Sequence, residues 1–440
     1  MTSTTVTVSS SIGPSHEFGK VVSSAAIGQL IEWYDFVIFV YSASVIAKLF
    51  FPSTDPIAGL LATFAVYAVG FLMRPVGGLL FGSLGDRIGR RTVLASIILS
   101  MGAATTAIGL LPTYATIGVF APILLVVCRL AQGLSAAGEA AGSNTFVAEH
   151  APKHRRGFYV TFTYSFSIFS SVLAALCVLL VTNAMSGEAY LSWGWRVPFL
   201  LGAPLALVGL YIRLRVDESP AFKATQAAHR VARSPLREAW ASQKKSMAYC
   251  FAITALTSLG YYTLAGYFVS YLTTIVGLTS NQALISNCIA LIVAATTTIA
   301  SAHLCDLIGR KPLLIAGLVL SVLSPVPGYM LASRGGLPYA IAGQSLIAFC
   351  AGLFWGPYPI AILELFPTRL RFSAMASSLN AGYTLFGGTA PLVATWLIGK
   401  TGSTLAPAYY MSAVSLVVLA VALTMKETRD SALVREEDVR

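Results

Sequence analysis

The hexapeptide Asp86-Arg87-Ile88-Gly89-Arg90-Arg91 returns as Asp306-Leu307-Ile308-Gly309-Arg310-Lys311, half a chain length further on in a sequence of 440 residues. Each copy fills a short charged gap between two long apolar stretches. A repeat at that offset means that one half-protein has been duplicated. In a membrane, a parallel duplication builds two helical bundles with a cavity between them. Transport is therefore the first functional class to consider.

The apolar stretches exceed the ~20 residues that a helix needs to cross the hydrocarbon core. Only 11% of residues are charged and 56% are hydrophobic, with a mean hydropathy of +0.74. An ordinary soluble domain is roughly 25% charged. Lipid offers no partners to exposed backbone groups, so the spans are expected to be helices. The expectation is an all-α membrane protein of twelve transmembrane helices in two six-helix bundles. In the first half the spans lie at about residues 21–49, 57–83, 92–112, 117–146, 158–182 and 196–215. In the second they lie at about 247–275, 282–304, 312–333, 337–362, 372–399 and 405–425. The chain then divides, at about these bounds, into a segment 1–20, a bundle 21–215, a central loop 216–246, a bundle 247–425 and a tail 426–440.

Most of the 29 basic residues fall in gaps that share one side when the N-terminus is cytoplasmic. The positive-inside rule then puts both termini in the cytoplasm, with the protein multi-pass in the cytoplasmic (inner) membrane. The net charge of +11 is a topology signal on this reading, and no nucleic-acid partner is expected. The expected partners are a small-molecule substrate, protons and membrane lipid, with the monomer as functional unit. The six cysteines form no CxxC pair, so neither disulfides nor a metal site is expected. No cofactor is expected beyond the proton as coupling ion. Residues 1–15 have no apolar core, which argues against a cleavable signal peptide. No stable run of heptads is expected in the segment after Met425.

In the repeated loop, Gly89 supplies the turn, and Asp86 can face the positive N-terminal end of another helix. Arg90 can bind Glu149 at the cytoplasmic end of span 4, and Arg310 with Glu364 holds the equivalent places. Asp86, Arg87, Arg90, Glu149, Asp306, Arg310 and Glu364 are thus the candidate cytoplasmic gate. Plain topogenic charge is the alternative, and the same Asp-to-Arg spacing in both copies favours the gate.

Charges inside the spans carry the functional reading. Glu32 and Asp35, three residues apart in span 1, share a helix face. A charge at that depth costs ~2.5–3.5 kcal/mol on insertion scales, so it commonly faces a cavity and has a task. Arg74 lies in span 2, and Arg129, Gln132 and Glu139 form a stripe along span 4. Glu32, Asp35 and Glu139 are candidate proton carriers. Arg74, Arg129 and Gln132 are candidate substrate contacts, with Arg129 as a fixed anchor the competing reading. The second half offers aromatic and small polar groups instead, of which Tyr262, Tyr267, Trp355 and Asn380 are cavity candidates.

The Gly-Asp-Arg-x-Gly-Arg-Arg loop resembles the signature of the major facilitator superfamily. Ala302 and Leu307 depart from it in the second copy, which predicts a looser gate there. Within the superfamily the chain is similar to the metabolite:proton symporters. The resemblance rests on Glu32-Trp33-Tyr34-Asp35, Phe71-Leu72-Met73-Arg74-Pro75, Arg129-Leu130-Ala131-Gln132-Gly133, Trp193-Gly194-Trp195-Arg196 and Glu364-Leu365-Phe366-Pro367. It implies the major facilitator fold and uptake of a small polar metabolite with protons: a mono-, di- or tricarboxylate, or a zwitterion such as proline or betaine. It also implies Arg74 and Arg196 as carboxylate contacts. A drug exporter is the alternative, and it calls for an apolar cavity without buried arginines. A membrane-embedded enzyme would need a nucleophile–base or metal cluster, and all five histidines lie in loops or at the cytoplasmic edge.

Overall fold

A computed structural model describes residues 15–78, 80, 90–136, 144, 147–148, 151–214 and 235–429. Among these the backbone is helix and turn, with no strand. Span 1 is Ser15–Tyr41 continued by Ala43–Phe50, span 2 Pro56–Leu72, span 3 Arg90–Leu110, span 4 Phe120–Ser135 and span 5 Arg156–Ala184. Span 6 ends in Gly202–Leu214 after the short turns Gly194–Arg196 and Val197–Leu200. Span 7 joins Lys244–Tyr262 to Phe268–Thr274 through a π-helical turn, Thr263–Tyr267. Span 8 is Ser280–Ile308, and span 9 is Arg310–Leu323 with Pro325–Ala332, bent by 43°. Span 10 is Leu337–Trp355 with Tyr358–Glu364. Span 11 carries a second π-helical turn, Tyr383–Gly387, between Thr368–Gly382 and Ala390–Thr401, and span 12 is Ala406–Leu423.

Seven of the described helices are long and apolar enough to cross a membrane by themselves. The remaining spans are short within the described residues, bent, or interrupted by a π-helical turn. Proline accounts for two interruptions: Pro325 in span 9 and Pro357 in span 10 bring no N–H to the ladder. Between the halves, a helix Pro235–Ser242 packs on span 11.

The duplication is visible in the packing. Span 1 packs on 5 and 6, span 2 on 4, and span 3 on 4 and 6. Shifted by six, the same pairs recur: 7 on 11 and 12, 8 on 10, and 9 on 10 and 12. Contacts between the halves run from span 5 to span 8 and from span 2 to span 11, two pairs that the shift exchanges. That is the relation expected of parallel repeats about an axis along the membrane normal.

One contact positions the interior charges. A Cβ on Gly133 of span 4 would overlap the carbonyl of Gly70 in span 2, and one on Gly70 would meet the Arg129 carbonyl at 2.9 Å. Only glycine allows the two backbones this close. Arg74 follows Gly70 by one turn and Arg129 precedes Gly133 by one turn, so both arginines are delivered between the same two helices.

Candidate transport site

Arg74 is 1% exposed, in the space between the two bundles. Its Nη2 lies 3.5 Å from Oε1 of Glu32 in span 1 and donates to the Ala136 carbonyl of span 4 at 3.4 Å. Its guanidinium also rests against three rings, with centroids 4.9 Å away at Tyr383, 5.2 Å at Phe36 and 5.4 Å at Phe71. Nε and Nη1 make no hydrogen bond of ordinary geometry, and the Tyr262 hydroxyl faces the guanidinium. A buried guanidinium with idle donors is costly unless something else binds it. Arg74 is thus equipped to receive two oxygens of an anion.

Arg129 sits deeper in the first half. Nη1 donates to Gln132 Oε1 at 2.7 Å, and Gln132 Nε2 donates to the Thr105 hydroxyl at 2.6 Å. The Phe39 and Tyr67 rings take its guanidinium at 3.8 and 4.7 Å. Asp35 faces Thr105 and Arg129 and packs beside Gly202 of span 6. Spans 1, 3, 4 and 6 therefore hold a second polar cluster, Asp35–Thr105–Gln132–Arg129, separate from the Glu32–Arg74 pair.

The second half closes the site with rings. Trp33, between the two carboxylates in sequence, stacks on Tyr262 at 5.8 Å and meets Tyr261 and Tyr383 edge-on at 4.7 and 5.8 Å. The Tyr261 hydroxyl donates to the Ser167 carbonyl, and Tyr383 meets the Tyr358 hydroxyl at 3.4 Å. The buried Tyr262 hydroxyl faces the Arg74 guanidinium. Trp355 lies behind Tyr261 at 6.0 Å, and Asn380 is buried one turn before Tyr383. Tyr267 is farther along span 7, against Phe64 at 6.1 Å.

Arg196 is elsewhere. Its guanidinium donates to the Leu111 carbonyl at 2.9 Å and the Ser192 carbonyl at 3.2 Å, and lies over Trp195. It caps the end of span 3, where helix carbonyls lack partners, and does not reach the Arg74 cluster. Trp33, Phe36, Phe39, Tyr67, Phe71, Thr105 and Tyr383 line the two charge clusters without having been singled out as site residues. Helical spacing held the signal: Tyr67, Phe71 and Arg74 fall on one face of span 2.

At the gate, Asp86, Arg87, Glu149 and the candidate proton carrier Glu139 lie outside the described residues, as does the Arg90 side chain. In the second copy, Arg310 binds Glu364 through two bonds, Nε–Oε2 and Nη2–Oε1, both 3.1 Å. The Asp306 carboxylate accepts Nη1 of Arg310 at 3.2 Å and the Gly157 and Phe158 N–H groups at 3.1 and 2.8 Å. Those N–H groups open span 5, so Asp306 binds the positive end of a helix in the opposite half. The joint is bidentate despite Ala302 and Leu307.

The tail completes this joint. Thr428 donates to Glu364 Oε2 at 2.8 Å, and Glu427 accepts the Arg310 and Lys311 N–H groups at 3.0 and 2.9 Å. Burial opposes ionisation of Glu427, but the N–H groups of Arg310, Lys311, Arg429 and Thr428 outweigh it and hold the carboxyl below its ordinary range. A carboxyl depressed in the folded state stabilises docking above its unfolded pKa of about 4.3 and loses that contribution as pH falls through the folded value. Glu427→Gln is expected to undock the tail at neutral pH. Faster hydrogen exchange at the Arg310 and Lys311 amides would show it, and unchanged protection would not fit.

The family model described as "Sugar (and other) transporter" matches residues 21–248 and 234–437. The chain belongs to this family of the major facilitator superfamily; it is a transporter of small molecules, not an enzyme. It is 36% identical over 425 residues to the glycine betaine/proline/ectoine/pipecolic acid transporter OusA of Dickeya dadantii, covering 94% of this chain and 84% of that one. Against the proline/betaine transporter of Escherichia coli K12 it is 34% identical over 423 residues, with the same shares covered. Among solved structures, the E. coli xylose transporter XylE in a partially occluded inward-open conformation superposes with a TM-score of 0.73. That match has 19% sequence identity and covers 95% of this chain and all of the other, which shows the twelve-helix fold.

Proposed function

We propose that the chain imports a small zwitterion in symport with protons, by alternating access, as a monomer in the cytoplasmic membrane with both termini inside. The observation that carries this is the Arg74 guanidinium, fully buried, with two idle donor nitrogens beside Glu32 and a wall of aromatic faces. A substrate carboxylate competes with Glu32 for Arg74. A proton on Glu32 cancels the competing charge, which ties substrate binding to protonation. A substrate cation then meets the faces of Trp33, Tyr261 and Tyr383, since ring faces attract quaternary and secondary ammonium groups. A second substrate carboxylate at that place would meet the same negative ring faces, which disfavours di- and tricarboxylates. The names of the two relatives support a proline- or betaine-like cargo.

The choice among cargoes is tested by thermal stabilisation of the purified protein against a panel of betaines, imino acids and organic acids. A ligand at a hundred times its Kd stabilises by ~2.7 kcal/mol. Betaine or proline is expected to raise Tm by several degrees and citrate or succinate not at all. The reverse order would replace the zwitterion by an organic acid.

A further inference from the structure

At the end of the bundle away from Asp306, one buried hydrogen bond links the halves, and a second, inside the second half, continues it through the same residue. The Tyr41 hydroxyl of span 1 donates to Asn287 Oδ1 of span 8 at 2.7 Å. Nδ2 of the same Asn287 donates to the Leu264 carbonyl at 2.7 Å. Leu264 lies inside the π-helical turn of span 7, and Asn287 is 0% exposed. In that turn Gly266 faces Val40, one residue before Tyr41, so closely that a Cβ would meet its Cγ1 at 2.8 Å. Asn281 Nδ2 also bonds Asn183 Oδ1 at 2.6 Å, joining the start of span 8 to the end of span 5. A narrow cleft of about 10 Å³ lies beside this seam, lined by residues that include Ile57 and Leu60 of span 2, Ser270 and Tyr271 of span 7, and Thr395 of span 11.

We propose that Tyr41, Asn287 and the Leu264 carbonyl form the latch closing this end of the transport pathway, with the π-helical turn of span 7 as its hinge. A π-helical turn adds one residue to the helix and recurs at functional sites. Asn287 is tied to the turn by its donor and meets the opposite half with its acceptor, so the Tyr41 bond forms only when span 1 comes to the turn of span 7. Separating the halves here admits water to the Asn287 carbonyl oxygen and the Tyr41 hydroxyl, which replaces the lost bond. A latch of neutral groups therefore opens with less desolvation to reverse than a buried ion pair. The Gly266–Val40 contact adds a steric condition, because closure needs the absent side chain.

Ser270, 4% exposed beside the cleft, reports the opening. Alkylation of Ser270→Cys is followed by peptide mass in detergent solution, where membrane sidedness plays no part. Adding Tyr41→Phe removes one bond from the closed state and is expected to speed labelling about fivefold. Asn287→Ala is expected to speed it at least as much. Gly266→Ala is expected to act in the same direction through Val40, with the hydrogen bonds left chemically intact. Unchanged labelling in both Tyr41→Phe and Gly266→Ala would overturn the latch. A fall in thermal stability of Asn287→Ala, with labelling unchanged in Tyr41→Phe, would overturn it as well, by making Asn287 a packing residue.

Discussion

Arg74→Lys is expected to lower uptake at subsaturating substrate by roughly a hundredfold, chiefly through KM. A charge-assisted hydrogen bond contributes ~1.5–3 kcal/mol, and a desolvated cation over a ring up to ~2 kcal/mol. Lysine keeps the charge but brings neither the planar fork that receives a carboxylate with two bonds nor a flat face for Tyr383, Phe36 and Phe71. The matching control is Arg196→Lys. Its guanidinium donates to two backbone carbonyls far from the cluster, so uptake is expected to change by less than about threefold, with any loss appearing as thermal stability. Equal KM effects from the two substitutions would remove Arg74 from the binding site.

Asp35→Asn is expected to abolish accumulation against a gradient while leaving exchange of labelled for unlabelled substrate measurable. The amide is isosteric beside Thr105 and Gly202, so the packing survives. It cannot take or release a proton, so net cycling loses its driving ion. Arg129 keeps its bond to Gln132 and its seat on Phe39 and Tyr67, which argues for a folded variant. Wild-type accumulation by Asp35→Asn would reject the proton role of this carboxylate and leave Glu32 to carry it.

Much of this arrangement could be read in the sequence, and physics explains the rest. The spans are legible because lipid forces every backbone group into a helix, so apolar length alone locates them. Glu32, Asp35, Arg74 and Arg129 stand out because a charge in a span is expensive. The partners of those charges are less legible. Two arginines seated on aromatic faces look, in sequence, like arginines awaiting carboxylates, because ring faces leave no charge pattern. The two π-helical turns are hidden as well: Thr263–Tyr267 and Tyr383–Gly387 have ordinary helix-compatible composition, and packing against spans 1 and 2 decides their geometry. Resemblance alone points Arg196 toward the cavity, whereas the carbonyl it binds at the end of span 3 is a tertiary feature. Glu427 reads as one more tail charge until the open end of span 9 is placed beside it.

The central claim is that substrate and proton move together through the two charge clusters, with Arg74 receiving the substrate and Glu32 and Asp35 carrying the proton. The direct measurement is external pH in lightly buffered proteoliposomes of the purified protein as betaine or proline is added, with no other gradient imposed. The account predicts alkalinisation of the outside that tracks labelled uptake, disappears in Asp35→Asn and is abolished by protonophore. Substrate entry with no pH change, unaffected by protonophore, would contradict it.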